Sequence, residues 1–245
     1  MALGIALLAL WEGLSHLTHL SALILPTPEA VLSALRAGVT SGTLLSAARI
    51  TLIESLAGFA LGAAVGLPAG YAVARSRWTA WALQPYLAGS QALPAVALAP
   101  LLVVWLGYGV LPIAVLGALI VFFPTTIATI LGLRSLDREV LDAARVDGAH
   151  RWTLLRHIEL PLALPAILAG LRSSLTLSMT GAVVGEFVLG SSSLGFGLGS
   201  LLTLGLSQLN TALIFAILLV LAALAAALYG GARLIERRFS YLEEQ

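Results

Sequence analysis

The chain has 245 residues, of which 59% are hydrophobic and only 10% are charged, and its mean hydropathy is +1.00. These values lie outside the range of soluble globular proteins and indicate a protein that crosses a membrane several times. The net charge of +1 says little about partners, and no nucleic-acid partner is predicted. Because the chain has no cysteine, it can form no disulfide and no cysteine-based metal site, and we predict no metal site.

The apolar segments predict six transmembrane helices in a single domain covering residues 1–245. No charged residue lies between Arg77 and Arg134, and this stretch is long enough for two crossings of about 20 residues each. The alternating pattern of membrane β-strands is missing, so an all-α fold is expected. The predicted spans cover residues 2–20, 50–73, 82–106, 110–132, 163–188 and 207–231.

Several segments carry turn or interface signals. Glu12 and two histidines interrupt the first predicted span, so an amphipathic helix at the membrane interface is an alternative there. The Pro-Thr-Pro sequence at 26–28 predicts an extended entry to a short surface helix. The Gly-Tyr-Gly sequence at 107–109 separates the third span from the fourth, and glycine-rich residues 190–200 predict a loop or a re-entrant turn.

The distribution of arginine predicts the orientation, because positively charged loops are retained on the cytoplasmic side. If the N-terminus is cytoplasmic, ten of the thirteen basic residues fall on the cytoplasmic side, around residues 75–77, 134–156 and 233–238. The connections near 107–109 and 190–206 then lie outside and carry no arginine. We therefore expect a multi-pass protein with both termini in the cytoplasm.

The largest predicted cytoplasmic loop, about residues 134–162, contains most of the charge. Asp137 can cap a short helix with one apolar face, and Gly148 can end it in a left-handed conformation. A second short helix is expected from about His150, and Leu160-Pro161 would begin the next span. Two short helices at an angle would form a knob that fits the groove of another protein. A hairpin lying on lipid headgroups is the alternative.

The residues of this loop resemble a known sequence motif. The loop contains, in order, Asp142-Ala143-Ala144, three residues, Gly148, nine residues and Ile158-x-Leu160-Pro161. This order is similar to the EAA loop of ABC importer permeases. The spacing agrees over twenty residues. Asp142 departs from the motif, because the family usually has glutamate there.

More of the chain resembles the nitrate, sulfonate and taurine branch of these permeases, from about residue 10 to residue 200. Glu54 departs from that branch, in which arginine is expected at this place, and the difference bears on substrate preference. The residues that follow the order of the branch are Trp11-Glu12, Leu25-Pro26-Thr27-Pro28, Val31, Gly58-Phe59, Pro94, Ala99-Pro100-Leu101, Trp105-Leu106-Gly107, Phe122-Phe123-Pro124, Pro165, Gly170-Leu171-Arg172, Gly185-Glu186 and Leu194-Gly195.

The resemblance implies a type I importer permease in the bacterial cytoplasmic (inner) membrane, with the 134–162 loop as a coupling helix. It implies a homodimer, one ATP-binding subunit under each copy, and an external substrate-binding protein. The chain has no G-x-x-x-x-G-K-[ST] phosphate loop, so no catalytic residue and no cofactor are predicted in it, and ATP and magnesium would be held by the partner.

Three polar residues within the predicted spans are candidates for the translocation path: Glu54, Gln91 and Glu186. Ionisable groups inside a membrane are costly and usually face a cavity or a partner. A local pair with Arg49 is the alternative for Glu54, and a structural hydrogen bond to the glycine-rich loop is the alternative for Glu186. Gln91 could instead bond a neighbouring helix.

Two interpretations of function follow. The first is an ATP-driven importer permease for a small solute of the sulfonate, nitrate, bicarbonate or vitamin-precursor class. The second is a secondary transporter or channel that is not driven by ATP. An intramembrane hydrolase has little support. Serines are present at 191–193, but the four histidines lie in the interrupted first span and in the cytoplasmic loop, and neither pair belongs to a supporting motif.

Overall fold

A computed structural model describes residues 9–15, 23–90 and 94–240. Within these ranges the fold is helical and has no β-strand beyond one isolated bridge between Ser192 and Gly195. The helices are α1 (residues 9–15), α2 (Pro28–Thr40), α3 (Thr43–Arg75), α4 (Arg77–Ser90), α5 (Ala99–Leu106), α6 (Val110–Arg134), α7 (Arg138–Val146), α8 (Arg151–Leu189), α9 (Leu198–Ser207) and α10 (Thr211–Ser240).

Among the described residues, four helices are long and apolar enough to cross a membrane: α3, α6, α8 and the Thr211–Leu234 part of α10. They confirm the second, fourth, fifth and sixth predicted spans. Of the first predicted span only 9–15 is described, and those residues are helical. The break between α5 and α6 at Gly107 and Gly109, both with positive φ, is confirmed as well.

The third predicted span, 82–106, is wrong as a continuous helix. Pro94 has an extended conformation, and a 3-10 helix, Ala95–Leu98, follows it and leads into α5. Pro94 and Pro100 lack the N–H group that a continuing helix needs, and proline disfavours a helical conformation in the residue before it. Hydropathy alone does not detect this interruption.

The core is a bundle of α3, α6 and α8, and α3 meets α6 along a row of glycines. Gly58, Gly62, Gly66 and Gly70 recur at every fourth position, so they occupy one face of α3. A Cβ at Gly62 would lie 2.7 Å from the side chain of Val121 and 2.8 Å from the carbonyl oxygen of Ala118. The two backbones therefore approach too closely for any side chain, which is typical of helix contacts in membranes.

Three glycines from the three core helices meet at one level of the bundle, which we call the glycine waist: Gly58, Gly117 and Gly181. A Cβ on Gly58 would lie 3.1 Å from Cα of Gly117, and one on Gly181 would lie 2.8 Å from the same atom. Nearby, the hydroxyl groups of Ser55 and Ser178 are hydrogen-bonded at 2.8 Å and fully buried.

The connection after α8 is shorter than predicted. Residues 190–197 form a loop, but α9 begins at Leu198, so the sequence expectation of an irregular segment up to residue 200 is wrong at its end. The first turn of α9 is stabilised from outside, because the hydroxyl of Thr51 accepts a hydrogen bond from the Leu198 N–H at 2.8 Å. Packing of Leu198 and Leu201 against Leu44 and Ile217 buries the other face.

Helix α2 is also longer than the short surface helix that was predicted. Pro28 occupies its first turn, where the missing N–H has no consequence, and the hydroxyl of Thr27 caps it by accepting a hydrogen bond from the Ala30 N–H at 3.2 Å. The helix continues to Thr40 and ends before Gly42, whose φ is 76°.

Candidate functional site

The charged loop contains one well-capped short helix, α7. The carboxylate of Asp137 accepts a hydrogen bond from the Glu139 N–H at 2.9 Å, as its position before the helix predicts. Leu141 packs inward and is buried, whereas Asp142 and Ala143 are exposed and Ala144 is half-buried. The three EAA-like residues therefore lie on the side of α7 that is open to a partner.

Gly148 ends this helix in the left-handed region, with φ 87°, as the sequence predicts. A Cβ at this position would meet no atom within 4 Å, so glycine is required by the backbone angle and not by crowding. The N–H groups of Gly148 and Ala149 return to the carbonyls of Arg145 and Ala144 at 3.1 and 3.0 Å, which closes the turn.

The predicted second short helix does not exist as a separate element. From Arg151 the chain runs as α8 without interruption to Leu189, through one π-helical turn at Leu155–Glu159. Leu160 and Pro161 consequently lie inside α8 and are exposed, and Ile158 is half-buried. Proline is tolerated at 161 because the wider π turn changes the hydrogen-bond pattern just before it.

A protruding apolar surface follows from this arrangement. Val146 at the end of α7 is 87% exposed, and Trp152 in the first turn of α8 is 69% exposed. Leu141 and Leu154 hold the turn against the bundle from the other side. Exposed apolar side chains beside charged ones are typical of a docking site for another protein. The exposed ion pair between Asp142 and Arg145, at 2.6 Å, contributes little stability of its own.

An ion pair that was not predicted from the sequence connects this region to α3. Glu159 is almost fully buried, and it is paired with Arg75 at the end of α3, whose Nε donates to it at 3.1 Å. Glu159 occupies the variable position between Ile158 and Leu160 of the motif, so the motif does not indicate a role for it. A polar cavity of 940 Å³ lies beside this pair, bordered by Tyr71, Arg145 and His150 among others.

The two acidic path candidates come together on the predicted outer side. Glu54 of α3 and Glu186 of α8 are each 1% exposed, and their carboxyl groups are direct neighbours. One oxygen of Glu186 accepts a hydrogen bond from the Gly199 N–H at 2.6 Å, which is the contact with the glycine-rich segment that sequence analysis considered. Gln91 lies outside the described residues.

The alternative of a local pair between Glu54 and Arg49 is wrong. Arg49 is exposed, and among the described residues neither it nor any other residue forms a hydrogen bond with a carboxylate oxygen of Glu54. The two residues are five positions apart, so they lie on different faces of the helix, and Glu54 faces the bundle.

A second, apolar cavity of 690 Å³ lies along α6 between the 3-10 helix and α8. Among the described residues, no charged side chain lines it, and Ser173 is its one polar side chain. The lining residues are Ala95, Leu98, Leu119, Ile120, Phe123, Pro124, Ile127, Ala128, Leu131, Gly170 and Ser173. This cavity can accommodate an apolar or aromatic molecule and offers no basic group to an anion.

Comparison with known proteins gives consistent results. Residues 58–241 match a family described as binding-protein-dependent transport system inner membrane component. The chain is 42% identical to the riboflavin transport system permease protein RibX of Chloroflexus aurantiacus over 231 residues, covering 94% of this chain and 85% of the relative. It is 32% identical to the putative aliphatic sulfonates transport permease protein SsuC of Bacillus subtilis over 238 residues, covering 97% and 85%.

The fold is similar to that of a solved structure. A chain of the MetNI methionine ABC transporter, in an inward-facing conformation, superposes with a TM-score of 0.69 at 19% sequence identity. The superposition covers 80% of this chain and 95% of the other.

Proposed function

Because the chain belongs to the family of inner membrane components of binding-protein-dependent transport systems and is an ABC transporter permease, we propose that it forms the translocation path for a small solute delivered by an external substrate-binding protein. The family membership supports this proposal over the second interpretation from the sequence, a secondary transporter or channel. As a permease the chain is not itself an enzyme, and ATP hydrolysis is expected in separate subunits that bind ATP and magnesium.

One observation supports the coupling role: the exposed turn at Gly148 leads directly into α8. A partner that pushes on Val146 and Trp152 acts directly on a helix that crosses the whole bundle. Helices transmit rigid-body motion, which alternating access requires. Asp142, Ala143, Ala144 and Gly148 form the contact, and Ile158, Leu160 and Pro161 connect it to the membrane part of α8.

The expected assembly contains two copies of this chain as a homodimer, with one ATP-binding subunit under each. The substrate-binding protein docks on the opposite side, and the lipid bilayer surrounds the bundle. The arginine distribution supports an orientation with both termini in the cytoplasm. In this orientation α7 faces the ATP-binding subunit, and the 190–197 loop and α9 face the binding protein.

Among the substrate classes considered, we favour a neutral heterocycle of the vitamin or vitamin-precursor class over sulfonate, nitrate or bicarbonate. The cavity along α6 has an apolar lining with an aromatic residue, Phe123, and no positive charge. Glu54 stands where the anion-transporting branch is expected to have arginine. The relative with 42% identity is named for riboflavin transport, and the one with 32% identity is named for aliphatic sulfonates.

The test is transport in liposomes by the chain purified with its co-purifying ATP-binding protein and binding protein. We expect ATP-dependent, vanadate-sensitive uptake of a flavin or pyrimidine vitamin precursor, and no uptake of taurine, which serves as the anionic control. Uptake without ATP would contradict the importer assignment. ATP-dependent uptake of taurine would keep that assignment and overturn the substrate class.

A further inference from the structure

The pair of buried carboxyl groups on the predicted outer side has unsatisfied hydrogen-bonding capacity. Both carboxylate oxygens of Glu54 and one oxygen of Glu186 lack a hydrogen-bond partner in the described part of the chain. Both side chains are 1% exposed, so water does not supply the missing contacts from the surface. Buried polar atoms without a partner are rare in folded proteins and call for an explanation.

The neighbours of this pair provide donors but no positive charge. Gly199 N–H donates to Glu186, and the Thr51 hydroxyl and the Ser200 N–H lie beside the same carboxyl group. Ser192 is the polar neighbour of Glu54. Helix α9, the 190–197 loop, residues 110–133 of α6 and residues 211–228 of α10 contain no titratable side chain. Within the described parts of these packed elements, Glu54 and Glu186 are therefore the titratable groups that face this site.

Two ionised carboxylates side by side would be strongly unfavourable here. Two like charges in contact repel strongly at the low effective dielectric constant of a buried site, and each also loses its hydration on burial. The site has little room for a hydrated cation, because glycines at 197 and 199 pack directly against the Glu186 carboxyl group. A single proton removes one charge and supplies the missing donor.

We propose that Glu54 and Glu186 bind one proton between them, as a carboxyl–carboxylate hydrogen bond that fastens α9 to α3 and α8. The O–H of one glutamate donates to the other, and the pair carries one negative charge instead of two. The proton comes from the solvent and no other bond changes. The remaining charge is stabilised by the N–H groups at the start of α9.

The shared proton has a structural consequence. Helix α9 is bonded at its start to both core helices, through Leu198 N–H to Thr51 of α3 and through Gly199 N–H to Glu186 of α8. Loss of the proton would place two negative charges at this junction and force α3 and α8 apart. The folded state binds one more proton than the unfolded state, so stability must fall as the pH rises through the release of this proton.

The experiment uses the full-length chain purified in detergent with its partner subunits. Infrared spectra at neutral pH should contain a protonated carboxyl band that is missing from Glu54→Gln. The thermal midpoint of the wild type should fall from neutral to mildly alkaline pH more steeply than that of Glu54→Gln. Glu29→Gln, at an exposed position of α2, is the matched control and should keep both the band and the slope.

A second variant keeps the test decisive if Glu54→Gln fails to fold. Glu54→Arg should assemble and show neither the band nor the steep pH dependence, because an arginine would form an ion pair with Glu186. The proposal is overturned by a wild-type midpoint that does not fall with pH, or by a carboxyl band that survives substitution at position 54. A midpoint that depends on sodium or potassium at constant pH would show a bound cation in place of the proton.

Discussion

Replacement of Gly62 by alanine tests the close contact of α3 and α6. The added Cβ would lie 2.7 Å from the side chain of Val121 and 2.8 Å from the carbonyl oxygen of Ala118, whereas ordinary contact begins at 3.4 Å. The valine side chain can turn, but the backbone oxygen of Ala118 can move only with its helix. The two helices would therefore separate by several tenths of an ångström.

The cost of this separation can be estimated. Overpacking of a tight core typically costs about 1–3 kcal/mol, and an alanine gains back about 1 kcal/mol of helix propensity over glycine. We expect a net loss of about 2 kcal/mol in the free energy of unfolding, because a backbone atom is involved and the upper end of the range applies. Gly66→Ala, with its nearest atoms at 3.1 Å, should be less destabilising.

The matched control is Gly231→Ala in α10, where a Cβ meets no atom within 4 Å and the residue is exposed. This change should leave stability unchanged or raise it by up to about 1 kcal/mol. Thermal midpoints of the purified transporter, measured by loss of the monodisperse peak after heating, give the comparison. If Gly62→Ala is as stable as Gly231→Ala, the close packing of α3 on α6 does not exist as described.

Three further changes test other parts of the molecule. Gly148→Val should abolish ATP-coupled transport or assembly, because a β-branched residue is strained at φ 87°. Gly148→Asn should retain most of the activity, because asparagine tolerates this angle. Equal activity of the two variants in liposome uptake would contradict the coupling role. Glu159→Gln should lower the thermal midpoint by an amount equivalent to about 1.5–3 kcal/mol, because it removes the charged partner of the partly exposed Arg75. An unchanged midpoint would show that the pair is not structural. Single cysteines at Ala149 and Ser192 should react with an impermeant reagent from opposite sides of the membrane, and labelling of both from the same side would overturn the orientation.

Features that depend on neighbouring residues were predictable from the sequence. The cap at Asp137, the left-handed turn at Gly148 and four of the long apolar helices obey rules of local chemistry that act within one turn or one span. The continuity of Arg151 into α8 was missed because a π turn has no reliable sequence signature.

Features that depend on distant residues were not predictable. Glu159 contacts Arg75, which is 84 positions away in the sequence, and Glu54 contacts Glu186, which is more than one hundred positions away. Which acid faces which partner is decided by how the helices pack. From the sequence, the nearest arginine was therefore an alternative partner for Glu54, although that arginine lies on another face of the same helix.

The glycine waist lies far from the middle of α8, and this asymmetry has a mechanical consequence. From Gly181 the helix extends about 45 Å toward Arg151 and only about 12 Å toward Leu189, at 1.5 Å per residue. A rotation of α8 about this point would move its docking end almost four times as far as its other end. The helix therefore has the geometry of a lever with unequal arms, in which a large displacement of its Arg151 end corresponds to a small displacement of its Leu189 end.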